Sequence, residues 1–471
     1  MAPIGTADNP LRVAIVGSGP AGFYAAGHLL QSKKHPDLVA QVDMFDRLPT
    51  PWGLVRGGVA PDHPNIKSVS RVYEKTARHP EFRFYGNVEL GSDITREDLE
   101  ARYHAVLYAV GAQTDRRMDI PGEDLPGSWA ATEFVAWYNG HPDYRDLEFD
   151  LSHERAVVIG NGNVAADVAR MLALTHPEMA VTDVADHALE VLAGSGVKEI
   201  VVLGRRGPAQ AAFTNPELLE LGEMADADVF VDPRDVELDP LSSAWLESDA
   251  SATARKNVEI VTGYSAREAE DKPRRIVLRF LVSPVEILGD ATVEGIRIAR
   301  NELTEDESGA LRARPTGETE ELECGLVFRS IGYRGTPLDG LPFDDRTGTI
   351  PNERGRIIDG DEPRPGEYAV GWIKRGPTGI IGTNKRDAQE TVDAVMEDLE
   401  AGRLLKPSNP DRASIEELLA ERRPDHVTYA GWDAIDRAER GAGEPHGRPR
   451  VKLCTFEELL AAARADERVR S

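Results

Sequence analysis

From Leu11 onward, short apolar runs alternate with segments in which apolar residues recur every three or four positions. The first pattern suits buried parallel strands and the second amphipathic helices. Leu11 to Val16 is expected to be a strand, and Ala21 to Leu30 the helix after it. Val39 to Phe45 and Ala105 to Val110 read as further strands. At Arg155 the pattern starts again, with a strand over Ala156 to Ile159, a helix over Asn163 to Leu174 and a strand over Glu199 to Leu203. Ile276 to Ser283, Val293 to Asn301 and Leu326 to Ile331 follow as strands. Beyond Gly371 a helix is expected from about Asp387 to Ala401. The charged tail from Ser414 to Arg440 reads as a helical pair around Trp432. Strands alternating with helices predict an α/β fold with parallel sheets. A chain of 471 residues exceeds one ordinary domain, so two or three are expected.

The one duplicated feature is a strand, a glycine turn and a helix, and it carries the candidate chemistry. Gly17-Ser-Gly19-Pro-Ala21-Gly22 closes the first strand as G-x-G-x-x-G. In that motif Gly17 permits a tight turn, Gly19 admits a diphosphate to the backbone, and Gly22 lets helix and strand pack closely. The helix N-terminus then offers free N–H groups to phosphate oxygens. Asp46 ends the next strand, where a carboxylate accepts hydrogen bonds from a ribose diol. Gly160-Asn161-Gly162-Asn163-Val164-Ala165 is a second such turn. After its following strand come Arg205 and Arg206 instead of an acid. Arginine forks suit the 2′-phosphate of NADP. Two unlike turns predict two dinucleotides: FAD at the acidic site and NADP at the basic one.

Composition narrows the setting. The net charge of −26 argues against nucleic acid as a partner. No apolar run is long enough to span a membrane, and the first ten residues lack the pattern of a secretory signal, so a cytoplasmic protein is expected. Two cysteines, Cys324 and Cys454, are too few to hold an iron–sulfur cluster and form no C-x-x-C redox pair. No metal site is expected.

Two longer strings resemble a known family. They are Pro49-Thr-Pro-Trp52-Gly-Leu54-Val-Arg-Gly-Gly-Val-Ala-Pro-Asp62-His63-Pro64 and Gly371-Trp372-Ile-Lys-Arg-Gly-Pro-Thr-Gly379-Ile380-Ile381-Gly-Thr-Asn384. Together with Phe343-Asp-Asp and Gly443-Glu-Pro-His-Gly-Arg-Pro-Arg450, they resemble the adrenodoxin-reductase-type ferredoxin–NADP reductases over about Leu11 to Leu459. The resemblance implies two Rossmann-like domains of the glutathione-reductase type. The NADP domain, about 113–334, is inserted into an FAD domain of 1–112 and 335–471. It implies that FAD contacts Ala21, Asp46, Leu54, Leu90, Trp372 and the turn Gly379, Ile380 and Ile381, with Leu90 on a strand from Asn87. It implies that NADP contacts Arg116, Asn161 to Val164, Arg205, Arg206, Glu217 and Gly379.

The same resemblance implies that His63 pairs with a carboxylate of the NADP domain, at the place matched by Glu220. Such a pair would fix the imidazole tautomer, raise its pKa and orient the nicotinamide. The implied activity is transfer of a hydride from NADPH to FAD and of single electrons to a ferredoxin. Another acceptor, such as a quinone or flavodoxin, a monooxygenase reaction, or a nucleotide-sensing role without turnover fits the same motifs. A ferredoxin is expected to dock on a local basic face. The candidates are Arg274-Arg275, Lys374-Arg375, Lys385-Arg386 and Arg448 to Lys452.

Overall fold

The computed structural model describes residues 2–248 and 250–465. The chain divides into two compact units, 1–114 with 333–471, and 115–332. In chain order the first unit begins with β1 (Leu11–Val16), α1 (Pro20–Leu30), β2 (Ala40–Phe45), β3 (Phe82–Tyr85) and β4 (Ala105–Tyr108). The second unit contains β5 (Ser128–Ala130), β6 (Arg155–Ile159), α2 (Asn163–Ala173), β7 (Glu199–Gly204), α3 (Asn215–Leu221) and β8 (Ala227–Val231). It continues with β9 (Arg274–Phe280), β10 (Val282–Leu288), β11 (Gly295–Glu305), β12 (Leu311–Glu323) and β13 (Leu326–Arg329). The chain then returns to the first unit with β14 (Asn352–Glu353), β15 (Arg356–Asp359), β16 (Glu362–Ala369) and α4 (Trp372–Arg375). Four more helices close the unit: α5 (Thr383–Glu400), α6 (Ala413–Arg422), α7 (Tyr429–Gly443) and α8 (Phe456–Ala465). Further helices, the longest Ala252–Ser265, and two short strands lie between these elements.

The first unit holds a seven-stranded sheet in the order β14-β15-β16-β4-β1-β2-β3. Its β16-β4-β1-β2-β3 portion is parallel. All six residues of β1 are buried, as expected of a central strand covered on both faces. The second unit holds a six-stranded parallel sheet in the order β5-β13-β6-β7-β9-β8. Beside it, β10, β11 and β12 form an antiparallel sheet. The duplicated glycine turns therefore belong to two Rossmann-like sheets, one in each unit.

Three local expectations differ from the structure. The strand expected over Ile276 to Ser283 is two strands, broken at Leu281, whose φ of +54° turns the chain from the parallel sheet into the antiparallel one. Residues Asn87 to Leu90 form no strand. Asn87 has φ +59°, and Leu90 makes only an isolated bridge to Ile94. The helix expected from Asp387 starts at Thr383, because its first turn is polar and carries no apolar period. The pair expected over Ser414 to Arg440 is α6 and α7, and a further helix, α8, lies beyond it. Trp432 on α7 is buried, sits edge-on to Trp52 at 6.2 Å and lies under the Arg56 guanidinium. The tail thus covers the loop that follows β2.

Candidate functional site

In the first unit the three glycines of the first turn have distinct surroundings. Gly17 has φ +105°, and a Cβ on it would lie 2.5 Å from the Ala109 carbonyl oxygen. A Cβ on Gly22 would run into the Gly17 carbonyl oxygen and the Ile15 side chain. Nothing lies within 4 Å of the Cβ position of Gly19. The tightest packing is thus at the turn and the helix–strand contact, while the middle position opens onto space at the N-terminus of α1. That arrangement fits a diphosphate held by backbone N–H groups.

Asp46 is bound to this turn. One carboxylate oxygen accepts the Ser18 N–H at 2.8 Å and the Ser18 hydroxyl at 2.5 Å, and the other accepts the Leu48 N–H at 2.9 Å. Burial raises its carboxyl above the ordinary range, opposed by the Ser18 and Leu48 donors. Asp46 therefore braces the turn, and ribose hydroxyls would have to use its remaining lone pairs. Its carbonyl accepts the Val88 N–H, which brings the loop of Leu90 alongside. Gly53 packs against Gly19, with Leu54 opening the next helical turn. Across α1, Gly371 abuts Ala21 and Trp372 packs on Tyr333 at 5.2 Å between ring centres. Ile381 packs against the same core as Ala21, while Ile380 is 63% exposed. The Ile380 N–H is held by the Thr383 hydroxyl, which anchors the turn from Gly379 to Ile381 on α5.

In the second unit Gly160 has φ +140°, and a Cβ there would run into the Ser330 carbonyl. Gly162 is open except for Ala212 at 3.8 Å. The Asn161 carbonyl accepts the Ala212 N–H, and the Asn163 side chain accepts the Thr214 N–H at 2.8 Å. The turn, continued by Val164 in α2, is thereby tied to the segment that opens α3. Glu217 and Glu220 on α3 both lie near Arg170, at 3.5 and 3.8 Å from its Nη1. Arg205 is exposed and Arg206 half-buried at the end of β7. Neither these two nor Arg116 forms an ion pair among the described residues, although acidic residues outnumber basic ones by 81 to 55. The Arg206 guanidinium is held below its ordinary value by burial first and then by Arg205. By charge and geometry this strand end suits an anion, at the position where a Rossmann-like unit meets a 2′-phosphate. His63 is buried in the first unit at the N-cap of a short helix over Pro64–Lys67.

Three of the four basic clusters expected to dock a partner are otherwise engaged. Arg274 donates to the Ala173, Leu174 and Val197 carbonyls, and Arg275 pairs with Glu199. Both begin β9, at the N-terminal end of the parallel strands, opposite the end that carries the glycine turn. Lys374 is buried against Asp387 and Glu390, and Arg375 bonds Asn384. In the third cluster Arg448 and Lys452 are buried, and Arg450 joins Arg56 on the fully buried Glu439. Lys385 and Arg386 are exposed and form no ion pair among the described residues.

Residues 11–201 match the family model of pyridine nucleotide-disulphide oxidoreductases. The chain is 55% identical over 461 residues to the NADPH-ferredoxin reductase FprA of Mycobacterium tuberculosis, covering 96% of this chain and 99% of that one. It belongs to the family of adrenodoxin-reductase-type ferredoxin–NADP reductases. A plant relative, the mitochondrial NADPH:adrenodoxin oxidoreductase of Arabidopsis thaliana, is 42% identical, with 97% of this chain and 96% of that one covered. The solved structure of M. tuberculosis FprA in complex with NADPH superposes with a TM-score of 0.92 at 53% identity, covering 97% of this chain and all of that one. Unlike disulphide-using members of the wider group, this ferredoxin–NADP reductase has two free, buried cysteines. Burial pushes the Cys324 thiol up to about 12 and the Cys454 thiol up to about 11, so neither is a ready thiolate.

Proposed function

We propose that this protein takes hydride from NADPH bound in its second unit, uses FAD bound in its first, and delivers electrons to a ferredoxin-type iron–sulfur protein. The observation that carries this reading is the pair of unlike dinucleotide turns in one chain. One is braced by Asp46, and the other is followed, after β7, by two arginines without carboxylate partners among the described residues. Bound FAD supplies the exchange between a two-electron hydride donor and a one-electron acceptor. Ser18, Gly19 and the N-terminus of α1 hold its diphosphate, and Asp46 orients the turn toward the ribose. Leu54, Leu90, Trp372 and the turn Gly379-Ile380-Ile381 enclose the rest. Asn161 to Val164, Arg116, Arg205 and Arg206 hold NADPH, with Glu217 beside them.

The decisive assay is NADPH-driven reduction of cytochrome c with and without a ferredoxin. Strict dependence on the ferredoxin supports the reading. Equal rates with a quinone or flavodoxin alone would point to another acceptor, and absence of NADPH oxidation to a sensing role.

In this reading His63 and Glu220 orient the nicotinamide without being indispensable, because hydride transfer needs no side-chain acid. Replacing His63 with Gln is expected to slow flavin reduction by NADPH about 3- to 30-fold, within the range of a displaced orienting group, with FAD content unchanged. Stopped-flow measurement across pH checks this; an unchanged rate and profile would return His63 to a purely structural part.

The acceptor docks at Lys385 and Arg386, the one candidate pair that is exposed and unpaired among the described residues, beside the exposed Ile380. The remote acidic surface is screened within ~8 Å at physiological salt, so nearby charges dominate close approach. Reversing both charges to Glu should lower the ferredoxin-dependent rate about tenfold at low salt, with a weaker effect at high salt. NADPH–ferricyanide activity should change less than about twofold. A ferredoxin rate indifferent to both substitution and salt would count against this face.

A further inference from the structure

The turn bearing Arg205 and Arg206 is braced from the antiparallel sheet as well as from its own strand. The Leu281 N–H donates to the Arg206 carbonyl at 3.2 Å. The Asn301 amide donates to the Arg205 carbonyl at 2.9 Å and to the Ser283 hydroxyl at 2.7 Å. Asn301 is buried on β11, so the base of the β11–β12 hairpin is bolted to the coenzyme turn. Three residues further along β11, Thr304 stands opposite Arg312 on β12. That rung is roughly 10 Å from the bolt along the strand, within the combined reach of two arginine side chains.

Arg312 is held in place from the hairpin tip. Its Nε donates to Asp306 Oδ2 at 2.7 Å. The other Asp306 oxygen accepts the Ser308 N–H, the Ser308 hydroxyl and the Ala310 N–H, so the carboxylate is fixed on the tip loop. Among the described residues the two Nη groups of Arg312 have no protein acceptor, which leaves the fork available. Its charge bears on Arg206 together with that of Arg205, and these two repulsions follow burial in lowering the Arg206 guanidinium. The hairpin register and this repulsion place a third cation, itself paired through Nε with Asp306, near Arg205 and Arg206 in a chain of net charge −26. Gathering like charges is unfavourable unless an anion joins them, and a phosphate dianion accepts several charge-assisted hydrogen bonds at once.

We propose that Arg312, on the outer strand of the hairpin, is a third cation of the 2′-phosphate site, making the hairpin part of the coenzyme-selecting apparatus. This rests on the assignment of Arg205 and Arg206 to that phosphate. Arg312 is exposed, so its removal should leave the fold intact.

The test is calorimetric titration of the FAD-loaded protein with 2′,5′-ADP, which carries the phosphate, and with 5′-ADP, which lacks it. Arg312→Ala should weaken 2′,5′-ADP about three- to tenfold, the effect of one charge-assisted hydrogen bond at an exposed site, and change 5′-ADP less than about twofold. Arg312→Lys should restore most of the affinity. The Arg205→Ala/Arg206→Ala protein serves as the reference. If that reference no longer binds 2′,5′-ADP while Arg312→Ala binds it as the unmodified protein does, the hairpin has no part in the site. If Arg312→Ala weakens both nucleotides equally, its role is structural and the proposal fails. If the double reference binds both nucleotides normally, the underlying assignment of Arg205 and Arg206 fails instead.

Discussion

Protein carrying Gly19→Val should fold normally and emerge colourless. The backbone at Gly19 has φ −79° and ψ −175°, an extended conformation that any residue adopts. Nothing lies within 4 Å of its Cβ position, so the substitution meets no protein atom at the branch point. The valine would instead fill the space that a diphosphate needs and keep it from the N–H groups of the turn. Overpacking of about 1–3 kcal/mol, together with the forfeited charge-assisted hydrogen bonds, lowers FAD affinity by at least ~100-fold. Flavin absorbance per mole of protein and a thermal unfolding curve check the two halves of the expectation. Gly17→Ala is the contrasting case. Its positive φ and the nearby Ala109 carbonyl make the substitution costly to the unit itself, so both FAD content and unfolding temperature should fall. Yellow Gly19→Val protein with a full complement of FAD would remove the first turn from the flavin site.

The second large effect is on coenzyme choice. Replacing Arg205 and Arg206 together with Ala should raise KM for NADPH at least about tenfold and leave that for NADH within about twofold, because only NADPH carries the 2′-phosphate. Each charge-assisted hydrogen bond from an arginine to that phosphate is worth about 1.5–3 kcal/mol. Neither arginine forms an ion pair among the described residues, so removing them strands no carboxylate. Arg206 is also held below its ordinary value by burial and by its neighbours' charge, so thermal stability should hold or rise. Steady-state kinetics with both coenzymes, beside an unfolding curve, separates this from a structural role. Equal increases in KM for NADPH and NADH, or a destabilised protein, would show that the pair supports the fold and does not select the coenzyme.

Much of the site is local in the chain and is therefore legible there. A glycine turn between a buried strand and a helix is written in consecutive residues, and so is the residue class at the following strand end. Gly17 and Gly22 have the tight surroundings of a turn and a helix–strand contact, and the Cβ position of Gly19 is open. Asp46 is legible as a carboxylate at the right strand end. That both its oxygens are already engaged by Ser18 and Leu48 is not, since this depends on how two strand ends meet. The β12 strand leaves no apolar period, because it is an edge exposed on both faces and is defined by its pairing with β11. Leu281 carries no turn signal in its residue type, yet it separates β9 from β10.

The sequence by itself determined the parallel α/β plan, the two glycine turns and the opposite charge of the residues at the strand ends that follow them. These follow from hydrophobic period and from steric demands that act between near neighbours in the chain. Tertiary structure alone decided which charges are available. Arg274, Lys374 and Arg450 look like surface cations in the sequence, yet each is held by carbonyls or carboxylates that the fold brings to it. Lys385, Arg386, Arg205 and Arg206 form no ion pairs among the described residues. Charge is a property of a residue, but its availability depends on desolvation and on partners that only the fold brings within a few ångströms.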